Sequence, residues 1–135
     1  LKVVTDIERI GDQTADIAEL MLRLKGNELD KFSRHIVGML QVAKEIVHDA
    51  VDAFVKKDSE ASKLVIKHDD VVDELFSKVK DDLVGMLREG VSNVDACVDV
   101  LMIAKYLERI GDHAVNIAEW EIFQESGSIK DIRLI

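Results

Sequence analysis

Three pairs of acidic residues, each four positions apart, could do chemistry in this sequence: Glu8/Asp12, Asp69/Asp73 and Glu108/Asp112. Residues four apart share one face of a helix. With Leu101 at zero on a helical wheel, Ala104, Glu108, Asp112, Val115 and Ile122 all fall within about 60° of it. Glu108 and Asp112 therefore interrupt an apolar stripe. Asp69 and Asp73 do the same on a face shared with Ile66, Phe76, Val84 and Leu87. Carboxylates among such neighbours are costly unless a cation or a proton compensates. Two acids on each of two packed helices would supply the oxygen donors that a hard cation takes. The competing reading is an ion-paired face, with Arg109 or lysines of a neighbouring helix neutralising Glu108 and Asp112, and Lys80 doing so for Asp69 and Asp73. Glu45/Asp49 and Asp95/Asp99 have the same spacing but lie away from the apolar stripes, and are expected to be solvated.

Two of the three pairs belong to a repeat. Glu8-Arg9-Ile10-Gly11-Asp12 recurs as Glu108-Arg109-Ile110-Gly111-Asp112, and Ile17-Ala18-Glu19 as Ile117-Ala118-Glu119, with an offset of 100 and eight of twelve positions identical. Duplication of one unit explains this. A glycine inside a helix costs about 1 kcal/mol relative to alanine. Gly11 and Gly111 therefore predict a close approach by a neighbour, or room for ions.

Long helices must position these acids. The first is expected from the start to about Lys25, stopping at Gly26-Asn27. The second runs from about Leu29 to Lys57, with Ile36, Leu40, Ala43, Val47, Ala50 and Phe54 at three- and four-residue steps. The third begins near Ser59, which could cap it, and ends by Gly90. The fourth starts after Asn93, another cap, and runs to about Gln124, before Gly127. Short loops imply antiparallel packing, and the absence of proline suits uninterrupted helices. The fold class is all-α. Because the repeat offset nearly spans the last three helices, each unit should be a three-helix bundle. Residues 1–25 are then the last helix of a truncated first repeat, 29–124 a complete second repeat, and 125–135 a short tail.

The stretch from Tyr106 to Glu119, YLERIGDHAVNIAE, resembles the signature of the PhoU family of phosphate-specific transport regulators, and the stretch from Asp6 to Glu19 resembles it somewhat less closely. Asp69-Asp-Val-Val-Asp73 is similar to the family's other acidic motif. The resemblance implies two three-helix repeats whose acidic motifs hold multinuclear iron or zinc, with magnesium or manganese as alternatives. By it, Asp69, Asp73, Glu108 and Asp112 are the ligand candidates, with Asn116 as a helper one turn on. Glu8 and Asp12 form a half-site, lacking a partner motif. It also implies repression of the phosphate-starvation response, with the ATPase subunit of a phosphate ABC transporter and a sensor histidine kinase as partners. A metal-free helical scaffold that only docks partners is the alternative. His113 is Gln13 in the first copy and Asn116 is Asp16, so the two sites need not be equivalent.

Composition narrows the classes further. A net charge of −9, from 27 acids against 18 bases, argues against nucleic acid and anionic membranes as partners. No apolar run approaches the roughly 18–20 residues of a membrane span. A lone cysteine, Cys97, rules out an internal disulfide and suits a reducing, cytoplasmic compartment. Cys97 is expected in the core, and His113 off the acid face. No Ser/His/Asp set, phosphate-cradling glycine loop or cysteine pair is evident, and the Glu-x-x-His motif of di-iron oxidases is missing. An enzyme is not expected. The sequence opens inside a helical pattern without an initiator methionine, as a fragment would. Its first helix has apolar residues on more than one stripe, so it should fold onto the others or, as the favoured outcome, pair with a second chain as a homodimer.

Overall fold

In a computed structural model the chain folds into helices alone among the described residues, which are 2–24 and 29–134, without the side chains of 128–134. Helix α1 spans Lys2–Arg23, α2 Leu29–Phe32, α3 Ile36–Lys56, α4 Ser59–Glu89 and α5 Val94–Leu134. The expected stop at Gly26-Asn27 lies outside the described residues.

Helix α5 is the centre of the bundle. It packs against α1, α3 and α4, and α3 also packs against α4. Burial on three sides explains its composition. Cys97, Val100, Ile103, Ala104, Leu107, Ile110, Ala114, Ile117 and Ala118 are all buried, too many for one narrow stripe. Small residues among them let neighbouring backbones approach. Across from them stand Ile36, Met39, Ala43, Ile46 and Ala50 of α3 and Val65, Val72, Val79 and Leu83 of α4.

The turns follow local chemistry. Gly90 ends α4 with φ +83°, its N–H donating to Leu87 O at 3.2 Å while Val91 donates to Met86 O at 3.2 Å. Only glycine takes that backbone without penalty. Asn93 caps α5 as expected, its Oδ1 accepting from the Ala96 N–H at 3.0 Å. Three boundaries differ from expectation. The cap of α4 is Asp58, whose carboxylate accepts from the Ala61 N–H. Ser59 instead turns to α5, donating to Glu121 Oε2 at 3.2 Å and meeting Glu125. The expected second helix is broken between Phe32 and Ile36. There, Ser33 Oγ donates to Asp82 Oδ2 at 2.7 Å and accepts from the His35 N–H at 3.1 Å, pinning the break to α4. Helix α5 passes Gly127 and reaches Leu134, with the Phe123 ring covering the Gly127 position, so the tail expected beyond Gln124 is helical.

Helix α1 folds onto α5 within the chain. At one end Asp6 Oδ1 meets His113 Nδ1 at 2.8 Å and accepts from Asn116 Nδ2 at 3.3 Å. At the other, Arg23 reaches Asp99 at 3.6 Å. Those pairs fix the two helices as antiparallel, so the two copies of the repeat run in opposite directions along one seam.

Candidate metal centre

The α4–α5 contact brings together four of the seven residues singled out above: Asp69 and Asp73 from α4, Glu108 and Asp112 from α5. Burial, followed by the charges of Asp73, Asp112, Asp70 and Glu108, raises the Asp69 carboxyl from 3.8 to about 6. Asp73 is raised by burial and then by Glu108 and Asp112. Asp112 is open to solvent on one side, yet burial on the other is the main cause of its own upward shift, with Glu108 adding to it and Lys105 and His113 opposing. Like charges packed this closely favour a proton or a cation among them.

Gly111 makes the contact close. A Cβ built there would lie 2.7 Å from Asp69 Oδ1 and 3.6 Å from Val72 Cγ1. The glycine hydrogen thus leaves a cradle that the Asp69 carboxylate fills. That same Oδ1 is buried with no hydrogen-bond partner. A buried acceptor without a donor is costly and rare. An all-oxygen donor set with an orphaned buried carboxylate oxygen fits a hard or borderline cation in its chemistry.

As the side chains stand, no three carboxylate, imidazole or thiol groups among the described residues converge closely enough to grip one ion. Glu108 is engaged elsewhere: Lys105 Nζ lies 2.7 Å from its Oε1. Neither Arg109 nor Lys80 pairs with these acids among the described residues. Arg109 lies over the Tyr106 ring. Lys80 is exposed and pairs with neither Asp69 nor Asp73 among the described residues.

The remaining predicted residues stand apart. Asn116 turns to Asp6 of α1 and not toward the acids. Glu8 and Asp12 are exposed on α1, and a Cβ at Gly11 would meet nothing within 4 Å. His113, expected off the acid face, serves the α1–α5 seam through Asp6. Cys97 is buried, with its thiol pushed up by burial.

Two polar clusters escaped the sequence reading. Ser33, His35 and Asp82 do meet, with His35 Nδ1 2.7 Å from Asp82 Oδ2. The serine hydroxyl is given to the aspartate and not to the imidazole, so the order of a Ser-His-Asp triad is not reproduced. Burial would raise Asp82, but hydrogen bonds from His35 and Ser33, with the charges of His35 and Arg34, hold its carboxyl low. Glu121 is the second, only 2% exposed, with Ser62 Oγ donating to its Oε1 at 2.8 Å. It sits beside the first turn of α4, where the helix dipole favours an anion. Its position three after Ala118 and four after Ile117, on the core face, was the available signal.

A helical bundle whose central helix presents carboxylates to its neighbour across a glycine cradle is the architecture defined here. Residues 36–120 match the PhoU domain, well over half of the chain, which therefore belongs to the PhoU family. The chain is 35% identical over 132 residues to the phosphate-specific transport system accessory protein PhoU homolog of Clostridium acetobutylicum, covering 98% of this chain and 60% of that protein. It is 37% identical over 129 residues to PhoU homolog 1 of Thermotoga maritima, covering 94% and 55%. Among solved structures, the phosphate transport system regulatory protein PhoU from Streptococcus pneumoniae superposes with a TM-score of 0.82 at 26% identity, over 93% of this chain and 59% of that one. The chain thus spans somewhat over half the length of these relatives.

Proposed function

We propose that this chain is part of a phosphate-uptake regulator of the PhoU type that restrains phosphate transport and the phosphate-starvation response without catalysing a reaction. Membership of the PhoU family, whose matched relatives are named as phosphate-transport accessory proteins, is the observation that carries this reading. Regulation would proceed by docking in the cytoplasm on the transporter's ATPase subunit and on a sensor histidine kinase. No helix among the described residues is long and apolar enough to cross a membrane, so reaching the transporter through a protein partner suits the fold. Val4, Ile7 and Leu22, which α1 leaves exposed, support self-association as a dimer. Co-purification with the ATPase subunit tests the docking; equal recovery on bare anionic vesicles would contradict it. Light scattering across a dilution series tests the dimer.

The same reading assigns Asp69, Asp73, Glu108 and Asp112 as holders of iron or zinc, supported by the partnerless Asp69 Oδ1. A bound cation would supply positive charge that neutralises the cluster and ties α4 to α5. The chain's own contribution is to hold the carboxylates at this seam and to keep Gly111 free of a side chain. A metal-free adaptor is the second reading, favoured by the Lys105–Glu108 ion pair. Elemental analysis of protein isolated without chelators separates the two.

A further inference from the structure

Among the described residues, Lys105 forms an ion pair with the acid cluster. Its ammonium is held at two points: Glu108 Oε1 on its own helix at 2.7 Å, and the face of the Phe76 ring on α4, with its centroid 5.6 Å away. A cation over an aromatic face is attracted by the ring quadrupole. The Lys105 side chain is 43% exposed whereas that of Glu108 is 20% exposed, so the lysine is the more open to water of the two. The equivalent position in the first copy of the repeat is Thr5, which carries no charge. The lysine at this position therefore distinguishes the second copy from the first.

A metal ion and Lys105 would need the same carboxylate. Glu108 cannot give Oε1 fully to both, and a divalent ion close to the ammonium would be repelled by it. The lysine can yield because its long stem can swing the ammonium into solvent at little cost. We propose that Lys105 is a tethered counter-cation that neutralises Glu108 in the metal-free bundle and is displaced when metal enters, so that it lowers metal affinity and makes loading reversible. This rests on the metal reading of the site given above. Lys105 is a positioning residue in this account. It occupies Oε1 of Glu108 until a more strongly charged ion takes its place.

The test compares the chain with Lys105→Met, which keeps the apolar stem against Phe76, and Lys105→Arg, which keeps the charge. Zinc is titrated calorimetrically, thermal melts are recorded in chelator, and acylation of Lys105 by an amine reagent is followed by mass spectrometry with and without zinc. The Met variant is expected to bind zinc about tenfold more tightly and to melt lower in chelator, with the Arg variant close to the parent. Lys105 in the parent chain should acylate faster once zinc is bound. Equal or weaker zinc binding by the Met variant, or a labelling rate unmoved by zinc, would overturn the role of Lys105 while leaving the metal site standing. No zinc binding by any of the three chains would overturn both.

Discussion

Glu8 to Asp12 and Glu108 to Asp112 are the same five residues on two helices that cross antiparallel, yet they end in different surroundings. Around Gly111 the second copy is buried: Asp69 presses into the space a Cβ would fill, and Val72 backs it. Gly11 opens onto nothing within 4 Å, and its flanking acids are exposed. The second copy has α4 beside it; α1 packs against α5 and no other described helix. The motif alone thus does not confine its charge. Where a second acidic helix packs over its glycine, charge is confined enough to shift ionisation, and a cation there would be favoured.

The largest effect that could break this comparison comes from the acids. Asp69→Asn with Asp112→Asn should weaken metal binding beyond the ~10–100-fold that changes outside the ligand set produce. Glu8→Gln with Asp12→Asn should leave it within calorimetric error. Similar losses from both pairs would show that the copies are equivalent after all.

The glycines sharpen the comparison. Gly111→Ala must displace Asp69 Oδ1, which lies 2.7 Å from the new methyl group. Because that oxygen ends a rotatable side chain, folding survives, while metal affinity should fall about tenfold, as expected when a ligand's support is lost. Gly11→Ala meets open space inside a helix and should stabilise the chain by about 1 kcal/mol in denaturant titrations, with metal binding unchanged.

A smaller effect lies in the pH dependence. Asp69 titrates at about 6 in the folded chain against an ordinary 3.8, so the folded state takes up its proton first as pH falls. The stability linked to this group is fully present below 3.8 and is lost as pH rises through about 6. In chelator, therefore, Asp69→Asn should melt higher than the parent by a few degrees at pH 7 and by nothing at pH 3.5 or below. Asp82, whose carboxyl is held low, acts in the opposite sense: its contribution is present above its ordinary range and is lost as pH falls through the lowered value. Subtracting variant from parent isolates Asp69. A parent and variant with the same pH profile would show that the α4–α5 acids are no more confined than those of the first copy.

Much of this was legible in the sequence because it depends on local rules. The three- and four-residue apolar spacing located α4 and the start of α5. Gly90 and Asn93 marked their ends through backbone freedom and side-chain capping, both local effects. The wheel placed the four acids on facing stripes. What escaped was set by tertiary partners. Phe32, Ile36 and Leu40 keep helical spacing straight through the break at Ser33–His35, which is fixed by Asp82 some fifty residues away. Ser59 looked like the cap of α4, but Glu121 and Glu125 claim its hydroxyl and leave the cap to Asp58. Asn116 faced the right way for a ligand helper until α1 brought Asp6 against it. Lys105, and not Arg109, pairs with Glu108, and its ammonium also lies over the Phe76 ring supplied by α4. Pattern reveals which face a residue occupies; which neighbour arrives at that face is decided by packing.

Metal content is the most direct measurement of the central claim. The parent chain, Asp69→Asn/Asp112→Asn and Glu8→Gln/Asp12→Asn would be isolated in parallel without chelators, and iron and zinc counted per chain by elemental analysis. Metal carried by the parent, kept by the Glu8/Asp12 variant and lost by the Asp69/Asp112 variant is the predicted result. Equal metal in all three chains, or none in any, would contradict the account.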